Sequence, residues 1–337
     1  MSKIDTIQLA HGGGGRLSDA LIRDEILSRF GEGPLKSLPD GATLPKIDGE
    51  LVFSTDSYVV KPYKFNGGNI GNLAVHGTVN DISVSGGIPR YLSLAMIIEE
   101  GFPISELRLI LDTIKTSADE CDVKIVTGDT KVVARGQCDS IYINTSGIGE
   151  KLKGFDLGKH RIKPGDAVIV SGNIGDHGMA ILAAREGINI DNNLVSDTAS
   201  VQRLVQSLHE NFAYAVKFMR DPTRGGVAAV LNEIVSDTSY GIELDSVKIP
   251  YSREASSIAE MLGIELLNVA CEGRMLLICD NSVASDILNL WKNMPEGKGA
   301  EIIGYVNKEP ERVSIKTVTG GRRLVDVPTG ELLPRIC

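Results

Sequence analysis

Four aspartates, one run of glycines and a cysteine at the last position are the residues of this sequence best suited to chemistry. Asp56, Asp81, Asp129 and Asp221 each stand alone rather than in an acidic run. Mg²⁺ takes a few carboxylates and completes its shell with water and substrate phosphates, so single aspartates converging from loops suit a metal–nucleotide site. Any one of them alone could equally form a turn or cap a helix. The stretch His11-Gly12-Gly13-Gly14-Gly15-Arg16 lets backbone approach a ligand closely and aims several N–H groups at one anion. No strand precedes it, so it is neither a Walker A loop nor a dinucleotide fingerprint. His11 either contacts phosphate or caps the turn. Lys131, in Thr127-Gly128-Asp129-Thr130-Lys131, and Arg224, in the run from Arg220 to Gly226, are either phosphate clamps or solvated charges.

Cys337 closes the sequence after Pro334-Arg335-Ile336. Chain ends are exposed and mobile unless tied down, and the residues from Pro328 onward could reach roughly 30 Å when extended. A thiol there can meet a partner. The plainer alternative is a frayed tail that happens to end in cysteine. Cys121, Cys138, Cys271 and Cys279 are scattered without a CxxC pair, which argues against a disulfide framework. Cys279, in Met-Leu-Leu-Ile-Cys, is read as core.

The elements that must position these groups follow from periodicity. A helix is expected after the glycines, with Ser18 as N-cap, an apolar side of Leu17, Leu21, Ile22, Ile26 and Phe30, and Gly31 as its end. A strand over 51–55 delivers Asp56 at its end. A helix over 69–85 carries Asn72, His76 and Asn80 at i, i+4 and i+8, with Asp81 adjacent. That face has almost no Lys or Glu, which a solvated face prefers, so it is read as lining a site. His76 is a general base or a structural histidine. A strand over 91–100, a helix over 105–121 capped by Ser105, a strand over 123–126 ending in the Asp129 motif, and a strand over 139–149 complete a first unit. It closes near Glu150. Beyond a polar stretch, strands are expected over 167–170, 215–219, 242–244, 275–279, 302–306 and 313–318. Helices are expected over 176–186, 199–209, 227–236, 253–262 and 282–292. Glu272 lies in the small-residue loop Ala270-Cys271-Glu272-Gly273-Arg274. His160, His177 and His209 show no ligand spacing and read as structural.

At 337 residues the chain exceeds the size of one core, and 42% apolar with 23% charged residues is ordinary for a globular protein. The reading is a two-domain α/β protein with mixed sheets. We expect an arm over 1–42, domains over 43–154 and 155–327, and a mobile tail over 328–337. A net charge of −9 makes non-specific nucleic-acid binding unfavourable. No apolar run approaches the ~20 residues that span a bilayer, and no signal-like segment opens the chain. A cytoplasmic protein is expected.

Six stretches carry a family resemblance: LAHGGGGRLS at 9–18, STDSYVVKP at 54–62, VHGTVNDISVSGGIP at 75–89, TGDTKVV at 127–133, RDPTRGG at 220–226 and PRIC at 334–337. In order and over nearly the whole chain, they resemble the HypE family of hydrogenase maturation factors. That family sits within the superfamily of aminoimidazole ribonucleotide (AIR) synthetase, selenophosphate synthetase and thiamine monophosphate kinase. The resemblance implies a homodimer whose N-terminal domains build a closed barrel, with the C-terminal domain covering ATP. It implies that Cys337 receives a carbamoyl group from the carbamoyltransferase HypF, and that ATP drives its dehydration to thiocyanate. The cyanide would pass to iron on the HypC–HypD complex for [NiFe]-hydrogenase. On this reading Asp56, Asp81, Asp129 and Asp221 hold Mg²⁺. His11, Gly12, Gly13, Gly14, Gly15, Asn80, Thr130, Lys131 and Arg224 hold ATP, with Lys131 also catalytic, and Glu272 is the base with His76 behind it. A selenophosphate synthetase would use a cysteine near the N-terminus, and none precedes Cys121. A non-catalytic thiol carrier would not need the aspartates.

Overall fold

The computed structural model describes residues 5–188, 194–309, 312–327, 330, 333 and 336–337. The chain forms two compact units: Met1–Ile82 with Gly87–Lys151 and Cys337, and Ser83–Gly86 with Leu152–Ile336.

The first unit begins with a helical arm, α1 (Arg16–Leu21), a π-helical stretch Ile22–Leu27 and a last turn α2 (Ser28–Phe30). Glu25 fixes this arm. Its carboxylate is 6% exposed and accepts from Arg108 Nη2 at 2.6 Å and Arg108 Nε at 3.0 Å, with Arg29 alongside. The Arg108 bond lowers the Glu25 carboxyl pKa against the opposing effect of burial. Gly15, not Ser18, is the N-cap of α1. Ser18 instead donates to the His11 carbonyl and accepts from Gly14 N–H at 3.2 Å, tying the glycine loop together.

The sheet of this unit has the order β1-β6-β4-β5. It comprises β1 (Leu51–Tyr58), β4 (Gly87–Glu99), β5 (Lys124–Val133) and β6 (Ile141–Lys151); β2 (Lys64–Phe65) and β3 (Gly68–Asn69) make a separate short hairpin. β4 and β5 run parallel, joined through α4 (Ile104–Glu120), while the other pairs are antiparallel. Pro103, not Ser105, is the N-cap of α4. Its buried residues Leu107, Ile110, Leu111, Ile114 and Ala118 recur at helical spacing. The helix α3 (Ile70–Val84) is stitched to β6 by the Thr78–Thr145 hydroxyl pair at 2.6 Å and by Thr145 Oγ1 donating to Ala74 O at 2.9 Å. Ile141, Ile143 and Thr145 face this packed side. On the other face of the sheet Leu51, Phe53 and Ile97 are exposed.

Two aspartates expected at strand ends lie inside strands. β1 pairs with β6 from Leu51↔Glu150 to Tyr58↔Ile143, carrying Asp56 within the ladder. β5 pairs with β4 to Glu99↔Val133, carrying Asp129 with it. Ladder hydrogen bonding to long neighbours overrides the turn preference of Gly and Asp.

The second unit is built on a seven-stranded mixed sheet, β13-β12-β9-β11-β7-β10-β8. Its strands are β7 (Ala167–Val170), β8 (Val216–Arg220), β9 (Gly241–Asp245), β10 (Leu276–Cys279), β11 (Glu301–Asn307), β12 (Val313–Lys316) and β13 (Arg322–Leu324). Its helices are α5 (Asp176–Glu186), α6 (Gln202–Phe212), α7 (Gly226–Ser236), α8 (Arg253–Leu262) and α9 (Asn281–Lys292). Val168, Val170, Leu276 and Ile278 pack with α7, whereas Ala167, Ile169, Leu277 and Cys279 pack with α6 and α9. Burial on both faces explains why β7 and β10 read as unbroken apolar runs. A third cluster joins Met179 and Ala180 of α5 to Ile258 of α8, Val269 and Leu333.

Candidate functional site

In the first unit, Gly12 rests against β5, where an added Cβ would stand 2.9 Å from the Val132 nitrogen. Only glycine admits that approach. Two of the loop amides are engaged within the arm, Gly14 N–H by Ser18 and Gly13 N–H by Ala10 O at 3.4 Å. His11 is buried and its Nδ1 accepts from Gln8 N–H at 2.9 Å, so here it closes the turn. A cavity of about 160 Å³ brings His11, Ser18, Leu94, Met96 and Thr130 together.

Asp81, on α3, accepts from Ser54 Oγ at 2.6 Å, and Asp56 follows two residues along on the same face of β1. Asp56 Oδ1 accepts from Ser57 N–H at 2.8 Å. Asp129 belongs to the next row, Ser57, Asn144, Ala95 and Asp129, and so projects from the opposite face. It pairs there with Lys131 at 3.1 Å, both side chains more than half exposed. Among the described residues, no three His, Cys, Asp or Glu side chains are grouped to hold a metal by themselves. The donor set is single hard carboxylates, which suits an ion that draws its other ligands from water and phosphate.

His76 and Asn80 are buried on α3, so this helix face is not solvated. Burial pushes the His76 imidazole down to about 4, and its Nδ1 has no hydrogen-bond partner among the described residues. It is neutral at physiological pH. In the same unit the Cys337 carbonyl accepts from Val59 N–H at 3.1 Å.

In the second unit, two loops meet the loop that carries Glu272. Asp221 is buried directly after β8, and Pro222 O accepts from Cys271 N–H at 3.1 Å. Arg224 is exposed in the same loop, before α7. Glu272 is 2% exposed, and its N–H donates to Asp197 Oδ1 at 2.9 Å. Arg274 Nε stands 3.6 Å from Asp197 Oδ2. Burial raises the Asp197 carboxyl pKa, opposed by Arg274 and by backbone donors. Sequence spacing gave no hint of Asp197, whose partners lie more than seventy positions away. Gly273 is the one local signal, because an added Cβ there would meet the Asp197 carbonyl.

Leu333 and Ile336 of the tail belong to this unit. His177 Nε2 donates to the Ile336 carbonyl at 2.6 Å, and Leu333 is buried in the α5–α8 cluster. Pro328, Thr329, Glu331, Leu332, Pro334 and Arg335 lie outside the described residues. Of the other thiols, Cys121, Cys271 and Cys279 are buried, and Cys138 is half-buried. Burial pushes the Cys271 pKa well above its usual value and Cys279 up to about 12, and raises Cys138 with help from Glu99 and Asp139. Such thiols are poor nucleophiles. Cys337 is partly exposed.

The AIR synthase related protein N-terminal domain family matches residues 39–150, and the corresponding C-terminal domain family matches residues 163–316. The carbamoyl dehydratase HypE of Rhizobium leguminosarum bv. viciae is 44% identical over 332 residues, covering 98% of this chain and 95% of that protein. The crystal structure of a hydrogenase maturation protein HypE in complex with ATP is 41% identical, with a TM-score of 0.93 over 98% of this chain and 100% of that one. A chain from a HypE–HypF complex is 43% identical, with a TM-score of 0.80 over 92% of this chain and 100% of that one. The chain therefore belongs to the HypE family of AIR-synthase-related proteins.

Proposed function

We propose that this protein is an ATP-dependent carbamoyl dehydratase acting on its own Cys337, and that it supplies cyanide for the iron of [NiFe]-hydrogenase. The observation that carries this is likeness over nearly the full chain to a protein named carbamoyl dehydratase HypE. The burial of Cys121, Cys271 and Cys279 supports the choice of sulfur; Cys138 shares the partial exposure of Cys337, but burial and nearby carboxylates raise its pKa.

The chemistry balances in two steps. The amide oxygen of Cys337 S–C(=O)–NH₂ attacks the γ-phosphorus of ATP, releasing ADP and one nitrogen proton to give S–C(OPO₃²⁻)=NH. The remaining N–H proton then goes to a base as the C–O bond breaks, leaving S–C≡N and inorganic phosphate. Phosphorylation turns a very poor leaving group into a good one. Glu272 is the base on this reading, held in a water-poor loop by Asp197, and the neutral His76 is the second candidate. Lys131, Arg224, Thr130, Asn80 and the His11–Gly15 loop take the phosphates and nucleotide. Asp56 and Asp81 would hold Mg²⁺, and Asp129 and Asp221 carry the same assignment from motif position. Magnesium, when bound, supplies positive charge to the phosphate oxygens.

The carbamoyl donor is HypF, in keeping with the HypE–HypF complex of a relative, and the HypC–HypD complex is the acceptor. A homodimer formed through the exposed sheet face of the first unit completes the proposal. Intact mass after carbamoyl donor and then ATP tests it. Gain of one carbamoyl group, followed by loss of one water confined to the Cys337 peptide, is expected. A carbamoylated chain that keeps its mass with ATP and Mg²⁺ overturns it.

A further inference from the structure

We propose that His177 is the latch of the tail, a positioning residue that sets the peptide plane of Cys337 through its hydrogen bond to the Ile336 carbonyl. The imidazole is fully buried as the second residue of α5. Its Nδ1 lies 2.8 Å from Ser196 Oγ, and Ser196 Oγ accepts Thr198 N–H at 3.1 Å and stands 2.7 Å from Thr198 Oγ1. Its Nε2 lies 2.6 Å from Ile336 O.

The tautomer follows from chemistry. Burial pushes the ring down to about 4, so at neutral pH it has one N–H. A carbonyl oxygen can only accept, so the proton sits on Nε2, and Nδ1 accepts from a hydroxyl. The Ile336 carbonyl and the Cys337 nitrogen belong to one planar peptide group. A bond to that oxygen therefore orients the plane from which the Cys337 side chain departs. Leu333, buried against Met179, Ala180 and Val269, and Ile336, packed at the same cluster, dock the segment by apolar contact. The hydrogen bond adds the direction that apolar contact lacks. Releasing the tail gives up this buried hydrogen bond, which favours the docked state.

Docking does not depend on the dehydratase reading, whereas the consequence for catalysis rests on it. The test is the alkylation rate of Cys337 by iodoacetamide without nucleotide, read by mass spectrometry, with Cys271 and Cys279 as reporters of global opening. His177→Phe keeps a ring but removes the bond to the Ile336 carbonyl, and a roughly tenfold faster Cys337 reaction is expected. His177→Gln, whose side-chain amide can donate in place of Nε2–H, should react within about twofold of wild type. A wild-type rate in the Phe variant, or equal acceleration in both variants, overturns the latch. If His177→Phe exposes Cys271 and Cys279, Ser196→Ala decides: faster labelling supports the latch and an unchanged rate overturns it. In single turnover from the carbamoylated chain, the Phe variant should lose rate with its KM for ATP unchanged. Labelling that follows the latch pattern in a wild type that forms no thiocyanate would remove the dehydratase reading and leave the latch.

Discussion

Asp197 Oδ1 accepts the backbone N–H of Glu272 at 2.9 Å, so a fully buried carboxylate, not the loop's own geometry, holds the candidate base in place. Asp197→Asn retains an acceptor for that N–H but removes the charge facing Arg274. Stability should fall by about 1–2 kcal/mol, and dehydration should slow out of proportion to that loss. Urea unfolding and single-turnover kinetics measure the two effects. A variant with wild-type dehydration would show that Asp197 does not position Glu272.

Asp81→Asn tests the metal assignment. Asparagine keeps an oxygen for the Ser54 hydroxyl bond of 2.6 Å, so the melting temperature should move little, with a stability change below ~1 kcal/mol. ATP turnover should disappear, because a neutral amide is a poor Mg²⁺ ligand. Full ATP turnover in this variant would remove Asp81 from the metal site.

Two buried imidazoles give stability a pH dependence of known sign. The His76 and His177 pKa values both fall from 6.5 to about 4, chiefly through burial. Between these pH values the unfolded chain binds more protons than the folded chain, so stability is present above 6.5 and lost as pH falls toward 4. Each group can remove roughly 3 kcal/mol at full effect. The urea midpoint should already decline between pH 6.5 and 5, before most carboxylates titrate, and His177→Gln should flatten part of that slope. The raised carboxyls of Asp176 and Asp197 work in the opposite sense, so the test is the difference between chains: a His177→Gln slope equal to that of wild type would contradict the burial of that ring.

How much of this was legible depends on whether a feature is local. The helices Asp176–Glu186 and Arg253–Leu262 and the strand Ala167–Val170 match their expected bounds, because period and punctuation are written in consecutive residues. The glycine loop, the buried polar face of α3 and the Glu272 loop were also visible as unusual composition. Asp129 was misplaced because Thr-Gly-Asp reads as a turn, while its strand is sustained by β4, a neighbour that local preference does not see. Ser18 reads as a cap in sequence because its partners, the His11 carbonyl and Gly14 N–H, exist only after the loop has closed. His177 meets Ile336 from 159 positions away, and no spacing rule connects them.

Association should run through the first unit. Leu51, Phe53 and Ile97 are exposed on the face of its sheet away from α3, and Phe53 is 65% exposed. Leu51 and Phe53 are neighbours there and Ile97 stands six rows further along the same face; exposed apolar patches mark interaction surfaces. Sedimentation of wild type at micromolar concentration should give a dimer, and Phe53→Lys should shift it toward monomer without changing the circular dichroism. A wild-type monomer would refute the dimer, and a fully dimeric Phe53→Lys would move the interface elsewhere.

On the proposed function, Cys337 has to satisfy two demands that conflict. Dehydration needs a site that excludes water, since an activated phosphate intermediate would otherwise hydrolyse. Cyanide transfer needs the same sulfur exposed to another protein. One position of the tail cannot serve both, so the segment should exchange between the docked state, in which Ile336 meets His177, and a released one. ATP biases that exchange if it binds one state more tightly. Cys337→Ala should bind ATP and accept no carbamoyl group. Removing Pro334 to Cys337 should leave the fold intact, because both core clusters around the second sheet are complete without those residues. Trypsin can cut after Arg335, and the rate of that cleavage should differ with and without ATP. Equal cleavage under both conditions, or thiocyanate found on Cys121, Cys138, Cys271 or Cys279, would rule out a tail that carries the group between two environments.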